Sequence, residues 1–433
     1  MGRGTDAIVI GAGIMGAAIA FELARAGRDV TIVDRLGAPG HGSTSSSSAI
    51  VRFNYSTFDG VATSWEAKHC WEGWPEHLGD HGGPLARFCR TGMIVLDTPQ
   101  VPQARAATLL ARAGVPFEEW GPGELRARVP GIDAGAYWPP KSIDDDEFFE
   151  EAAHELGALF MPDAGFVDDP QLATQNLVTG AQRSGASLIL NRTVVEVLRE
   201  HGRTGGVRLS DGIALTAPVV VNAAGPWSGR LNQLAGVGGD FSIAVRPLRQ
   251  EVHHLAAPPG FNGGGLGPSI ADMDLGTYLR AGPGDTILVG GTEPACDELE
   301  WVDDPDEANP SVTSSSFARQ VTRAARRLST LRVPVAAQGV AGVYDVSDDW
   351  TPIYDRTELD GYYVAMGTSG NQFKNAPLVG RFLATLIDQV QAGHDHDGDP
   401  IRYRGEHTAN VINLGAFSRK RARNADSSGT VLG

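Results

Sequence analysis

Two rhythms of apolar and polar positions run along the chain. Near its start, the apolar run DAIVI at residues 6–10 suits a buried parallel strand. A Gly-rich turn follows. Apolar positions then recur at helical spacing over 17–26 and stop at Gly27. A second run, DVTIV at 29–33, predicts another strand that ends at Asp34. Strand, helix and strand together form a βαβ unit. Beyond it the pattern predicts a strand at 92–96 and helices over 102–113, 148–159 and 172–184. Short strands are expected at 187–190, 193–198 and 207–209, with Asp211-Gly212 supplying a hairpin turn. VVVN at 219–222 is a buried strand leading into AAGPWS.

From Val245 to Gly291 the rhythm changes to period two. The segments VRPLRQEVHHL, TYLRAG and TILVGG predict an antiparallel meander. A basic amphipathic helix is expected over 316–328, a strand at 362–367 and a helix over 376–392. The small polar stretch Gly37–Ser48 directly follows the second strand, so a fixed loop is expected there and not a linker. Acidic stretches at 303–307 and 394–399 are expected on the surface, the latter solvated and without a metal. Disorder is expected after Leu414, including RKRAR at 419–423.

Charge narrows the possible partners. The 433 residues carry 36 Lys+Arg against 52 Asp+Glu, a net charge of −16. A phosphate-rich surface would repel such a protein, which argues against nucleic acid and anionic membranes. No apolar run reaches the ~20 residues that span a bilayer. Cys70, Cys89 and Cys296 are scattered and odd in number, giving neither a disulfide framework nor a metal knuckle. A cytoplasmic protein is the expectation.

The turn of the βαβ unit carries its chemistry. Gly11-Ala12-Gly13-Ile14-Met15-Gly16 fits G-x-G-x-x-G, placed after a strand and at the start of a helix. The first glycine permits the tight turn, the second lets backbone approach a pyrophosphate, and the third lets helix and strand pack closely. Asp34, about 20 residues on, is placed to accept the ribose hydroxyls. A carboxylate there disfavours NADP. NAD and FAD both remain open on this unit alone.

Several segments taken together resemble the D-amino-acid oxidase superfamily of FAD enzymes, in its sarcosine oxidase and glycine oxidase branch. They are the N-terminal fingerprint, the Ser-rich loop running into AIVRFNY, the strand VVVNAAGPWS and the late segment GTSGNQFKNAPLVG. The resemblance spans roughly residues 6–392 and implies an α/β (α+β) fold: a Rossmann-like FAD-binding domain with a second domain built on a large antiparallel sheet. It assigns 1–88, 150–230 and 336–433 to the first domain and 89–149 and 231–335 to the second. It places Gly11, Gly13, Ile14, Met15 and Gly16 at the pyrophosphate turn and Asp34 with Arg35 at the adenosine end. Ser43, Thr44, Ser47 and Ser48 would line the flavin, with Val195 at the adenine. Ala223 and Gly225 would mark the close approach of strand to cofactor. Gly367, Gly370, Asn371, Gln372, Phe373 and Lys374 would form the turn against the isoalloxazine ring. Two departures stand out. Gly342 takes the place of a cysteine that anchors FAD covalently in some relatives, so non-covalent FAD is implied. Leu288 takes the place of a lysine that promotes the reaction with oxygen in sarcosine oxidase.

The resemblance also makes Arg52 and Lys374 the anchor of a substrate carboxylate. A guanidinium grips a carboxylate through two parallel hydrogen bonds, and a lysine adds a point charge. The alternative is an ordinary ion-pair arginine and a solvated loop lysine. Tyr278 and Arg280 share one face of a strand, which either lines the pocket or faces solvent. Tyr344 falls where glycine oxidases carry a carboxylate-binding arginine in a loop. Arg249 is either a site residue or a structural ion pair, and His253 or His254 either a base or a packed residue. The implied activity is oxidation of the C–N bond of an N-substituted glycine or related amino acid. It proceeds by hydride transfer to flavin N5, imine hydrolysis and reoxidation by O2 to give H2O2. The alternative is an FAD-dependent amino-acid or 2-hydroxy-acid dehydrogenase with another electron acceptor.

Overall fold

The computed structural model describes residues 4–79, 82–263 and 265–433. Strand β1 (Ala7–Ile10) and strand β2 (Val30–Val33) flank helix α1 (Ile14–Arg25). Every residue of both strands is buried, as expected of a sheet covered on both faces. The two strands pair in parallel at the middle of a six-stranded sheet. Val219–Asn222 and then Tyr362–Met366 extend it in parallel beyond β1, and Ile353–Arg356 closes that edge antiparallel. Ser187–Ile189 closes the other edge.

Helix α1 is apolar on nearly all sides, which suits a helix buried all round. It packs against Pro170–Arg183 and Ala376–Gln391. Small residues make the second crossing close: a Cβ at Gly380 would lie 2.4 Å from the Ala18 carbonyl oxygen.

The meander belongs to an eight-stranded sheet. Its order is Gly339–Ser347, Val245–Ala256, Thr286–Gly291, Thr277–Gly282, Ser269–Asp272, Met93–Leu96, Ala158–Met161, Glu118–Trp120. All neighbours are antiparallel except Ser269–Asp272 with Met93–Leu96. The amphipathic helix Ser314–Arg327 covers part of this sheet. Its basic residues are not all solvated, because Arg327 is buried and paired with Asp272 and Asp274 at 2.7 Å each.

Two sequence expectations fail. Residues 148–159 form no helix: a short 3-10 turn at Asp146–Phe149 is followed by the strand Ala158–Met161. Its apolar run is too short to tell a helix from a buried strand, and the pairing of Ala158–Met161 with Met93–Leu96 decides for the strand. The segment after Leu414 is ordered and anchored. The Arg419 side chain is buried and bonds to Asp240, Asp355 and Asp397 at 2.7–3.1 Å. The acidic tract 394–399 lies largely at the surface, yet within it His396 is buried beside Asp355. Arg419→Ala leaves several carboxylates facing a vacated site. Its cost is expected to reach about 3–5 kcal/mol, to be read from urea unfolding; a change within 0.5 kcal/mol would show that the cluster contributes little.

Candidate functional site

The main cleft opens where β1 ends. Gly11 turns the chain at φ +107°, a conformation that favours glycine. A Cβ at Gly16 would lie 1.9 Å from the Gly11 carbonyl oxygen, so glycine lets α1 begin this close to the turn. The first N–H groups of α1 and its positive dipole end therefore border the cleft, a ready site for a pyrophosphate. Gly11, Gly13, Ile14, Met15, Asp34 and Arg35 line it. The Asp34 carboxylate accepts the Ala12 N–H at 2.6 Å and the Leu36 N–H at 2.7 Å, which fixes it at the end of β2. Arg35 lies over the Trp227 ring, 4.5 Å from its centroid, and pairs with Asp306 at 2.5 Å.

Ser43, Thr44, Ser47, Ala223, Gly225, Gly370, Gln372 and Phe373 line the same cleft. The Ser-rich loop is fixed on two sides. The Ser43 hydroxyl donates to the Val343 carbonyl at 2.6 Å, and the Thr44 hydroxyl accepts the Ile14 N–H at 3.2 Å. Gly16, Gly367 and Val195 do not line the cleft, and Ser48, Asn371 and Lys374 line only the cavity beside it. Gly16 supports the turn from behind. Gly367 packs beside Ser347 and Val245. Val195 is 45% exposed while its neighbour Val194 lines the cleft. The pairing register shifts between Val194 and Glu196, so the side chain of Val195 turns outward while its backbone continues the strand beside the cleft.

Sequence reasoning missed Arg192, Thr193, Trp227 and Arg230 at the Asp34 end, and Val343 and Asp345 at the other. AAGPWS was a usable signal for Trp227; Arg192 and Thr193 precede a strand, Arg230 sits on the helix Ser228–Ala235, and Val343 and Asp345 lie within the strand Gly339–Ser347, none of them in a motif. Asp345 is buried, and its Oδ2 has no hydrogen-bond partner. A ligand carrying hydroxyl or N–H donors along the cleft would satisfy it.

A second cavity, of about 60 Å³, adjoins the first. Ser47, Tyr344, Gly370 and Phe373 line both. Arg52, Lys374, Ser48, Tyr278 and Asn371 also line this second space. Arg52 is 4% exposed and Lys374 3%. Neither forms an ion pair with any described carboxylate. Arg52 donates to the Asn54 carbonyl, and to the Val431 carbonyl at 2.6 Å. Lys374 Nζ donates to the Asn371 carbonyl at 2.5 Å. Both cations approach the Tyr55 ring, at 4.8 and 5.1 Å from its centroid. Burial, with the Arg52 charge adding to it, holds the Lys374 amine well below the usual lysine range.

Two tyrosines frame the cavity, each seated on a glycine. A Cβ at Gly290 would lie 2.3 Å from the Tyr278 ring, and one at Gly370 the same distance from the Tyr344 ring. The Tyr278 hydroxyl bonds to Ser48 at 2.7 Å, and burial pushes its pKa up to about 12. Tyr344 lies within the strand Gly339–Ser347 and not in a loop, because that segment pairs along its length with Val245–His253. Thr292, which the sequence reading missed, lines the cavity with an unpartnered buried hydroxyl.

Other candidates are separate from this space. Arg280 shares a strand face with Tyr278 but stacks on Phe166, 3.7 Å from the ring centroid, and lines neither cavity. Burial lowers its pKa to about 10. Arg249 is structural, pairing with Glu251 and Glu300. His253 is fully buried against Phe317, and neither it nor His254 lines a cavity. Glu293 is half-buried, lines neither cavity and accepts the Val431 N–H at 2.9 Å; desolvation of its carboxylate pushes its pKa up to about 8.

The sequence pattern of the DAO family, FAD dependent oxidoreductase, matches residues 6–386. This chain belongs to that family. It is 24% identical over 397 residues to a glycine oxidase of Geobacillus kaustophilus, covering 90% of this chain and 94% of that protein. A peroxisomal sarcosine oxidase of Mus musculus gives the same identity and coverage. Among solved structures, L-proline dehydrogenase from P.horikoshii superposes with a TM-score of 0.76 at 23% identity, over 97% of this chain and 98% of that one. The protein is thus an FAD-dependent oxidoreductase with a Rossmann-like fold. No helix among the described residues is long and apolar enough to cross a membrane.

The cleft fits FAD in kind: a glycine cradle, a helix start, a carboxylate at the end of β2 and an unpaired acceptor on Asp345. Gly16→Ala forces α1 away from Gly11. It is expected to cost on the order of 1–3 kcal/mol and to purify with little FAD, as read from urea unfolding and the flavin-to-protein absorbance ratio. Full flavin content with unchanged stability would show that the close contact is dispensable.

Proposed function

We propose that the enzyme oxidises the C–N bond of a small amino acid with a free carboxylate, an N-substituted glycine or a close relative. One observation carries this reading: Arg52 and Lys374 are both buried, share one small cavity and pair with no carboxylate among the described residues. Uncompensated cations are unfavourable away from water, and a ligand carboxylate would relieve both. Relatives named glycine oxidase and sarcosine oxidase support the same substrate class.

When bound, FAD supplies the two-electron acceptor for the hydride on the carbon next to nitrogen. The chain's own residues supply position and electrostatics. Arg52 and Lys374 hold the carboxylate. The Tyr278 and Thr292 hydroxyls stand on the same cavity wall to orient the remaining polar atoms. Ile50, Met93 and Ala271 keep the space dry. Among the described residues no Asp, Glu or His lines the cavity, so none of them is placed there as a general base. The two cations also disfavour an ammonium beside them, so the amine is bound neutral and needs no base. FAD is held non-covalently: Gly342 offers no thiol, and none of the three cysteines lines either cavity. Acid precipitation should release it into the supernatant.

A second reading keeps the substrate and changes the electron acceptor. Leu288 supplies no charge where sarcosine oxidase has its lysine, and the L-proline dehydrogenase fold neighbour fits such a reading. Anaerobic bleaching of the flavin by a panel of N-alkylglycines, amino acids and hydroxy acids identifies the substrate class. One peroxide per turnover in air then indicates an oxidase, and none a dehydrogenase.

Arg52→Ala is expected to lower kcat/KM for carboxylate substrates at least a hundredfold, about 3 kcal/mol, with FAD retained. Unchanged kinetics would remove the anchor. Lys374 sets the pH profile. A bound carboxylate raises the depressed amine pKa, so binding takes up one proton between the free and bound values. For acetate, a carboxylate with no amine of its own, affinity is therefore full below the free-enzyme pKa and falls about tenfold per pH unit from there to the bound-state pKa. The limb should vanish in Lys374→Met; a limb that persists there belongs to another group.

A further inference from the structure

The fork of Arg52 is already engaged from above. One arm donates to the Asn54 carbonyl, and Nη2 donates to the Val431 carbonyl at 2.6 Å. The same peptide strand is held from its other side, where the Val431 N–H donates to Glu293 at 2.9 Å. Val431 and Leu432 form part of the cavity wall. A neutral backbone carbonyl therefore sits where a substrate carboxylate would meet Nη2.

The segment that carries this carbonyl is tied by ion pairs and hydrogen bonds over 419–424 and by fewer bonds to other elements over 427–433, where Thr430 and Leu432 are nonetheless buried. The first stretch is tied by Arg419 to three carboxylates, by Arg421 to Asp349 at 2.8 Å, and by Asn424, whose N–H donates to Asp349 at 2.9 Å. Beyond Asp426, much of the bonding is internal: Gly433 N–H to the Thr430 carbonyl, Leu432 N–H to the Thr430 hydroxyl, and Ser428 to Thr430. Among the described residues four hydrogen bonds fasten residues 427–433 to the remainder of the protein: Ser427 N–H to the Asn424 carbonyl at 3.3 Å, Gln100 to the Ser428 carbonyl at 2.8 Å, and the Arg52 and Glu293 bonds to Val431, while Leu432 packs into the main core.

We propose that residues 427–433 form a strap that occupies the carboxylate seat and yields it to the substrate, with Glu293 as the positioning residue that latches the strap through the Val431 N–H. This rests on Arg52 being the carboxylate anchor. A carboxylate bonds a guanidinium more strongly than a neutral carbonyl does, so the exchange favours substrate. Residues 427–433 keep their internal hydrogen bonds when they lift, and the exchange of carbonyl for carboxylate on Arg52 offsets the exposure of Leu432. Apparent affinity is reduced by the fraction of molecules with the strap down, and weakening the latch should restore it.

The test uses the FAD-loaded full chain with acetate, a carboxylate that carries no oxidisable amine. Acetate binding is followed by perturbation of the flavin absorbance, and strap opening by amide hydrogen exchange over 427–433. Saturating acetate is expected to speed exchange in this segment at least fivefold while the segment 418–424 stays protected. Glu293→Leu removes the acceptor and should tighten acetate binding three- to tenfold, whereas Glu293→Gln keeps an acceptor and should bind as the parent does. Acetate that perturbs the flavin with unchanged or slowed exchange over 427–433 overturns the strap and leaves the anchor standing. Acetate that binds neither the parent nor Glu293→Leu overturns the anchor, and the strap with it. Binding confined to Glu293→Leu supports a strap that is tightly shut in the parent.

Discussion

A guanidinium and an ammonium buried in one small cavity repel each other, and each has lost most of its water. Arg52 and Lys374 are held there by covalent placement and not by attraction to one another. Backbone carbonyls and the Tyr55 ring offer partial negative charge, and no described carboxylate completes the neutralisation. The surroundings therefore have to be rigid. The turn bearing Lys374 is fixed by the Trp71 indole, which donates to the Lys374 carbonyl at 2.7 Å, and by the Tyr55 hydroxyl, which donates to Asn371 at 2.6 Å. Arg52 follows directly from a strand paired to Gly165–Val167.

Close packing at glycine recurs wherever the two cavities take shape. Gly16 against Gly11, Gly290 beneath Tyr278 and Gly370 beneath Tyr344 all bring large or rigid groups to distances that a Cβ would forbid. The dinucleotide cleft uses the small residue to bring backbone close to a ligand. The neighbouring cavity uses it to lay an aromatic ring flat on a sheet or turn. One device thus shapes both the charged end and the cofactor end of a continuous space.

What could be read in the sequence follows the range of the interactions involved. β1, α1 and β2 were legible because periodicity, the glycine spacing and Asp34 all act within 30 residues or so. Arg52 and Lys374 were legible through family resemblance, since nothing local brings positions 52 and 374 together. Residues 148–159 were misread because a short apolar run is ambiguous until its strand partner is known. The segment after Leu414 was misread because a basic run looks solvated until Asp240, Asp355 and Asp397 close on Arg419. Tyr344 was placed in a loop because the glycine-containing GVAGVYDVS does not announce a strand. Glu293, Thr292 and Val431 carry no motif at all, and their roles arise from long-range packing.

The six-stranded sheet has a consequence for biosynthesis. Its central strand β1 leaves the ribosome well before its neighbour on one side, Val219–Asn222, and the strand beyond that, Tyr362–Met366. An apolar edge made early must wait for some 350 further residues before the sheet is finished, and at 5–20 residues per second that wait is on the order of tens of seconds. Throughout that interval β1 and α1 expose surfaces meant for partners not yet translated. The nascent chain therefore depends on sheltering factors, or on early capture of its nucleotide, far more than a protein of the same size built from contiguous hairpins.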